Sequence, residues 1–248
     1  MILGIIPARY ASTRFPGKPL ASILGKSMIQ RVYEQAMSAS SLDKVVVATD
    51  DERIAEHVLS FNGNVVYTSP GHPSGTDRCH EALLKTSGSF DYVINIQGDE
   101  PFIHPTQIDI LAALCDGETE LATLMIRVSD PAVLHDPGEV KIVMNDKKEA
   151  IYFSRSVIPF IKSIPPHEWV NHFNYYRHVG MYAYRNDVLE KITRLGPSYL
   201  ERAESLEQLR WIENGYRIKL GITTHDSHCV DTPEDIPKVL KLMGLEED

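Results

Sequence analysis

Cysteine is scarce in this chain: 248 residues hold three, Cys79, Cys115 and Cys229, far apart and odd in number. That argues against a disulfide framework and fits a reducing compartment, so the chain reads as cytoplasmic. No apolar run approaches the roughly 20 residues that a membrane-spanning helix requires. The apolar start, residues 1–7, is too short for a signal-peptide core and has no basic residues ahead of it. Neither export nor a membrane partner is expected. Basic residues are also in deficit, 25 Lys and Arg against 34 Asp and Glu, for a formal net charge of -9 and a pI near 5.6. A protein that tracks a nucleic-acid backbone shows the opposite balance, so no nucleic acid is expected. The common glycine motifs are missing too. No G-x-G-x-x-G occurs, and Gly25-Lys26-Ser27 is no Walker A loop because position 20 is Leu20 rather than glycine. Dinucleotide oxidoreductases and P-loop NTPases thereby lose their sequence support.

What is present suits a soluble globular domain, with 43% hydrophobic and 24% charged residues. The first half alternates short β-branched runs with helical patterns, the signature of stacked βα units and a mainly parallel sheet. Strands are expected at 2–7, 44–49, 65–67, 92–96 and 122–127. Helices are expected at 27–38, from Asp50-Asp51 onward, at 76–85 and at 105–114. KVVVAT (44–49) and YVINI (92–96) are apolar enough to be buried on both faces.

The second half changes character. Strand-like runs at 141–144, 150–154 and 179–184 have little helix between them, which suggests an antiparallel lobe inserted at about 130–185 in a single domain spanning 1–248. Residues 158–174, with three prolines, two histidines and Trp169, read as a long surface loop able to close over a ligand or a partner subunit. Helical patterns return at 188–194, 199–214 and 233–243.

In an open α/β sheet, ligands sit beyond the carboxyl ends of the strands. The loop after the first strand, ARYASTRFPGKPL (8–20), places Arg9, Arg14 and Lys18 within ten residues of an otherwise acidic protein. A triphosphate whose charge shifts onto a pyrophosphate leaving group accounts for such a cluster; a solvated basic loop is the plainer reading. After the fourth strand, Gln97-Gly98-Asp99-Glu100-Pro101 sets a carboxylate at a strand end, beside a glycine that lets ligand approach. That suits magnesium, which takes one or two carboxylates plus phosphate oxygens and water. Asp231 offers a second carboxylate, although Asp231 or Thr232 before a proline also makes an ordinary helix cap. His225-Asp226-Ser227-His228-Cys229 lacks a second group at zinc-finger spacing and reads as a surface loop leading into Asp231.

Seven ordered segments together resemble the 3-deoxy-manno-octulosonate cytidylyltransferases, the CMP-Kdo synthetases: ARYASTRFPGKPL, HPSGTDR (72–78), IQGDEP (96–101), YFSRSVIP (152–159), RHVGMYAY (177–184), ESLEQLR (204–210) and VDTPED (230–235). The first loop is shared with related enzymes such as CMP-sialate synthetases, so the later segments carry the narrower assignment. Phe15 and Pro73 depart from the family pattern, which has leucine and glutamine there, and remove no charge.

The resemblance implies a Rossmann-like, mixed and mainly parallel α/β sheet with a smaller antiparallel dimerisation lobe, and a homodimer. It implies Ala8, Arg9, Arg14 and Lys18 around the phosphates of CTP, with Ser74, Gly75 and Arg78 around base and ribose. Asp99 and Asp231 are implied as magnesium ligands. Gln97, Arg155, His178, Tyr182, Glu207 and Gln208 are implied around the sugar, Gln97 also bordering the nucleotide. A bidentate Arg155 suits the carboxylate of an acidic sugar, and the remaining groups suit hydroxyls. Singly, each has a plainer reading: Glu207 and Gln208 as solvated helix residues, His178 as a strand histidine, Tyr182 as core. The implied reaction is attack of the sugar's anomeric hydroxyl on the α-phosphorus of CTP, with Arg9, Lys18 and Asp99 at its centre. The preference for CTP over UTP comes from the resemblance. Rival readings are the same chemistry on 8-amino-Kdo or a sialic acid, a metal-dependent glycosyltransferase, and an inactive nucleotide-binding regulator.

Overall fold

A computed structural model describes residues 1–11 and 14–245; residues 12 and 13 of the first loop lie outside the described residues. The first half runs β1 (Ile2–Ala8), β2 (Ser22–Ile23), β3 (Lys26–Ser27), α1 (Met28–Met37), β4 (Lys44–Thr49), α2 (Glu52–Ser60), β5 (Val65–Tyr67), α3 (Gly75–Lys85), β6 (Tyr92–Asn95), α4 (Pro105–Ala112) and β7 (Leu121–Val128). The second half runs α5 (Pro131–His135), β8 (Lys141–Met144), β9 (Ala150–Ser154), α6 (Trp169–His172), β10 (Tyr175–Arg185), α7 (Asn186–Ile192), α8 (Tyr199–Glu204), α9 (Gln208–Glu213), β11 (Ile218–Thr223) and α10 (Asp235–Leu242). Among the described residues, no helix is long and apolar enough to cross a membrane.

The large sheet has the order β11-β7-β10-β6-β1-β4-β5. Its neighbours are parallel, except that β10 runs antiparallel to both β6 and β7. The first part of β10 extends past the end of β6 and pairs with β8, which pairs with β9. The fold is therefore the expected mixed, mainly parallel sheet with a small antiparallel part. Alternate residues explain why the strands stay buried on both faces. Leu3, Ile5, Val46 and Val93 join Tyr184 and Trp211 in the core on one face. Ile6, Val45, Val47 and Ile94 join Ile29, Val32 and Leu111 on the other. Each such buried side chain contributes about 1.5–3 kcal/mol of transfer free energy. Helix starts follow their capping residues: Ser27 accepts from the Gln30 amide at 3.2 Å, and Asp51 accepts from the Arg53 amide at 3.0 Å.

Beyond the short β2, β3 and α5, which the sequence reading lacks, four elements differ from it. The helix expected at 199–214 is two, α8 and α9, because Ser205 adopts a left-handed φ of 54° between them. β11 is a strand with no counterpart in the sequence reading, where Lys219 and Gly221 break the apolar run; Gly221 lies so close to β7 that a Cβ would fall 2.8 Å from Leu124 Cδ2. β10 begins at Tyr175 rather than 179, since its early residues pair with β7. The loop at 158–174 contains α6, whose Trp169 is buried with Val128, Leu134 and Tyr175. The carboxyl ends of β1, β4, β6, β7 and β11 all share one edge, and there the loops after β1 and β6 meet the segment 224–234.

Candidate active site

Two glycines set the backbone of the site. Gly17, at φ 71°, donates its amide to Tyr10 O at 3.0 Å and turns the chain into a short 3-10 turn at Lys18–Leu20. Its positive φ suits glycine, and a Cβ would meet the Tyr10 ring at 3.1 Å. Gly98 answers a different need: a Cβ there would lie 2.8 Å from Pro7 O, so the loop after β6 reaches the end of β1 because it carries no side chain.

This geometry gathers the charged groups. Lys18 Nζ lies 2.8 Å from Asp99 Oδ2, 3.2 Å from Asp231 Oδ1 and 2.8 Å from Val230 O. Arg14 Nη1 donates to Asp231 Oδ2 at 2.8 Å. Arg9 is exposed and has no ion pair or hydrogen bond among the described residues. All five line a cavity of about 200 Å³ together with Ala8, Gln97 and Gly98. The plainer reading of Asp231 as a helix cap gives way, because Asp235 Oδ2 takes that role, accepting from the amides of Asp231 at 3.2 Å and Thr232 at 2.9 Å. The Asp231 carboxylate is left facing Lys18 and Arg14.

The donor set allows a test of magnesium. Two carboxylates already converge on one cation, the Lys18 ammonium, and both offer the oxygen ligands a hard cation prefers. Among the described residues, no group of three or more His, Cys, Asp or Glu side chains could hold a metal. The residues thus fit an ion that arrives with phosphate oxygens rather than one caged by protein alone.

A second cavity of about 200 Å³ shares Pro7, Ala8, Arg9 and Gln97 with the first and is walled by His72, Ser74, Gly75 and Arg78. Ser74 caps α3, accepting from the Asp77 amide at 3.3 Å and donating to Asp77 Oδ2 at 2.6 Å. Arg78 is buried and ion-paired with Asp50 at 2.9 Å, while donating to Thr68 Oγ1 at 2.6 Å. Its charge is therefore neutralised from inside the fold, and it braces the wall. His72 contacts Glu81, whose carboxyl is held down to about 2 by Lys85, the Ser69 amide and His72 itself.

The residues expected around the sugar divide. Gln97 Nε2 donates to Gly180 O at 2.5 Å, joining the loop after β6 to β10. His178 Nε2 pairs with Thr123 Oγ1 at 3.0 Å, and burial, reinforced by Arg177, pushes its imidazole down to about 3, so the ring is neutral. Tyr182 is buried opposite Asn95 in the β6–β10 register. Its hydroxyl lies toward Thr123 but makes no well-formed hydrogen bond, and Asn95 Oδ1 is likewise unpaired. Glu207 Oε2 accepts from Thr76 Oγ1 at 2.8 Å; burial raises its pKa, opposed by the hydroxyls of Thr76 and Ser74. Gln208 is buried beside it. Of the six, only Gln97 lines the two cavities; Arg155 is held by backbone carbonyls, Nε donating to Glu204 O at 2.8 Å and Nη1 to Pro137 O at 3.0 Å. Thr76 and Asn95 are additions from the structure. Their only sequence signal was position, one inside HPSGTDR and one immediately before IQGDEP. His225 stacks on His104 with ring centroids 3.8 Å apart, at the head of the irregular segment that reaches Asp231.

Comparison with known proteins adds to this geometry. The family model described as cytidylyltransferase matches residues 3–219. The chain is 55% identical to the 3-deoxy-manno-octulosonate cytidylyltransferase of Bacteroides thetaiotaomicron, over 94% of each chain. It is 54% identical to the enzyme of that name from Parabacteroides distasonis, over 98% of each. Among solved structures it matches a CMP:2-keto-3-deoxy-manno-octonic acid synthetase complexed with CTP, with TM-score 0.90, 42% identity and 99% of both chains covered. The expected sheet, the two cavities at its carboxyl edge and these full-length likenesses agree: the chain belongs to the cytidylyltransferases and, within them, to the 3-deoxy-manno-octulosonate cytidylyltransferase family.

Proposed function

We propose that the two joined cavities hold CTP and that the buried polar groups beside them hold the acidic sugar. The chain transfers CMP from CTP to the anomeric hydroxyl of Kdo, forming CMP-Kdo and pyrophosphate, a step that serves lipopolysaccharide synthesis. The observation carrying this placement is the convergence of Arg9, Arg14 and Lys18 with Asp99 and Asp231 on one cavity that opens into the wall at Ser74 and Gly75.

The work of these residues follows from charge. As the sugar hydroxyl attacks the α-phosphorus, negative charge grows on the departing pyrophosphate, and Arg9, Arg14 and Lys18 line the cavity where they can offset it. Magnesium held by Asp99 and Asp231 would supply further charge neutralisation at the phosphates. With the two carboxylates engaged in that way, the Lys18 ammonium that now bridges them would be available to a phosphate oxygen. On the sugar side, His178 is already bonded to Thr123 and burial pushes its imidazole down to about 3, which makes it a weak base, suited to reading a hydroxyl rather than removing its proton. Glu207 and Tyr182 offer an acceptor and an unpaired hydroxyl to the same ligand. A competing sugar that left these groups unmatched would lose binding free energy.

Pyrophosphate release by the purified protein with magnesium tests the reading, using CTP and UTP against Kdo, 8-amino-Kdo and a sialic acid. Release with CTP and Kdo is expected. Release only with 8-amino-Kdo or a sialic acid would move the sugar assignment, and no release with any pair would sink the whole reading.

The homodimer is part of the same proposal. Phe160 and Phe173 are exposed and flank the Trp169–Tyr175 pair, an apolar face that a second copy would cover. Light scattering on the purified protein should return twice the chain mass, and Phe160→Asp should lower it.

A further inference from the structure

Asp231 does not sit on a helix or strand. It is carried by segment 224–234, which follows β11 and is irregular until α10 begins. A carboxylate on such a segment is only as well placed as the ties that hold the segment. Packing gives little help on one side, because a cavity of about 350 Å³ lies between the segment, β10 and α10, bordered by Glu100, Arg177, Ser227, Cys229, Lys238 and Leu242.

The ties are polar. Arg177, on β10 with a side chain 11% exposed, ion-pairs through Nη2 with Asp226 and through Nη1 with Glu139 Oε2 at 3.3 Å. One Glu100 carboxylate oxygen bonds Ser227, while the other has no partner among the described residues. Val230 N donates to Asp99 O at 2.9 Å, and Gln107 Nε2 to His225 O at 3.2 Å. Arg14 and Lys18 also pair with the segment, but at Asp231 itself; the Arg177–Asp226 ion pair ties it away from that carboxylate, and Arg177 is anchored in the central sheet. No step of the proposed reaction uses it.

We infer that Arg177 is a positioning residue, which sets the Asp231 carboxylate against Asp99 by clamping the segment through Asp226. The inference rests on the reading of Asp99 and Asp231 as metal-binding carboxylates. Arg177 touches neither nucleotide nor sugar in this scheme. It acts as outer-sphere partners of metal ligands do, whose loss weakens metal binding about 10–100-fold.

The test is a direct manganese titration of the enzyme–CTP complex without sugar, followed by electron paramagnetic resonance, so that no turnover is required. Asp226→Asn is the deciding variant, because Asp226 is on the surface and the change keeps its shape. Arg177→Met, which also loses Glu139, is the second variant. Each should weaken manganese binding about tenfold or more. The double variant should be no weaker than the worse single, and CTP binding without metal should stay within about twofold. Asp231→Asn separates the two readings. If it weakens manganese binding while Asp226→Asn stays within about twofold of the parent, the positioning role is overturned and the metal site stands. If Asp231→Asn itself has no effect, the metal reading falls and the inference with it. Losses that multiply in the double variant would also overturn it, since the pair would not be acting as one device.

Discussion

The two sides of the proposed site, one for phosphates and one for sugar, are built on opposite principles. On the phosphate side the groups are charged, partly exposed and paired with one another across three chain segments: Lys18 with Asp99 and Asp231, Arg14 with Asp231. On the sugar side they are buried or half-buried, carried mostly by β6, β10 and the starts of α3 and α9, and among the described residues some polar atoms have no partner: Tyr182 OH and Asn95 Oδ1. Ion pairs this exposed stabilise a fold very little, whereas an unpaired buried hydroxyl or carbonyl costs about 1–3 kcal/mol. The phosphate side thus keeps its charges ready at low cost. The sugar side carries a deficit that a matching ligand relieves. A charged, mobile triphosphate needs neutralising; the hydroxyls of a sugar need reading.

That contrast can be broken most severely at Asp99. Asp99→Ala should lower the rate of pyrophosphate release by on the order of 10³-fold or more, because it removes several kcal/mol of charge stabilisation together with the metal. Added magnesium should not restore it, and single-turnover kinetics would read the loss. A rate within tenfold of the parent would place the metal elsewhere. Lys18→Met comes next. Losing one fixed donor at a site of developing charge costs about 10²–10³-fold in kcat, and the loss should appear in kcat more than in the KM for sugar.

Glu207→Gln sharpens the other half. It keeps the shape beside Thr76 and removes the carboxylate, so kcat/KM for Kdo should fall roughly 10-fold to 100-fold while the KM for CTP hardly changes. An equal loss for both substrates would mean that the two sides are not separate. The smallest effect is expected in pH dependence. An unfolded histidine titrates near 6.5, whereas native His178 stays neutral down to about 3. Its contribution to stability is therefore intact above pH 6.5 and declines as pH falls from there toward 3. His178→Gln should flatten the melting temperature across that window, and the pH–rate profile should lack a His178 limb near neutrality.

Much of this was legible in the sequence, for identifiable reasons. Strands β4 and β5 fall at 44–49 and 65–67 as expected, because both are short, apolar and bounded by polar residues. That Arg9, Arg14, Lys18 and Asp99 come together was readable from position, since loops after the strands of a parallel sheet meet at its carboxyl edge, and the four line one cavity there. Asp231 was not, because a carboxylate before a proline looks the same whether it caps a helix or faces a cation; only the finding that Asp235 does the capping separates the two. β11 escaped because its partner β7 supplies the packing that Gly221 lacks in sequence. Arg155 shows the limit of reading by charge: an arginine suited to a carboxylate is here donating to the carbonyls of Glu204 and Pro137. Thr76 and Asn95 matter through groups far off in the chain, Glu207 and Tyr184, which no local pattern announces.

The antiparallel β10 has a consequence for how the molecule is made. Chains emerge from the ribosome in order and fold as they emerge, so β1, β4, β5 and β6 are out long before residues 175–185. Until then β6 is an open edge, with its ladder groups unpaired and exposed to other nascent chains. The nucleotide walls can form early; the strand that closes that edge, and after it the segment bearing Asp231, come last. A site that holds both Asp99 and Asp231 therefore cannot be complete before residue 231 has been made, and the growing chain is most exposed to misassembly between β6 and β10.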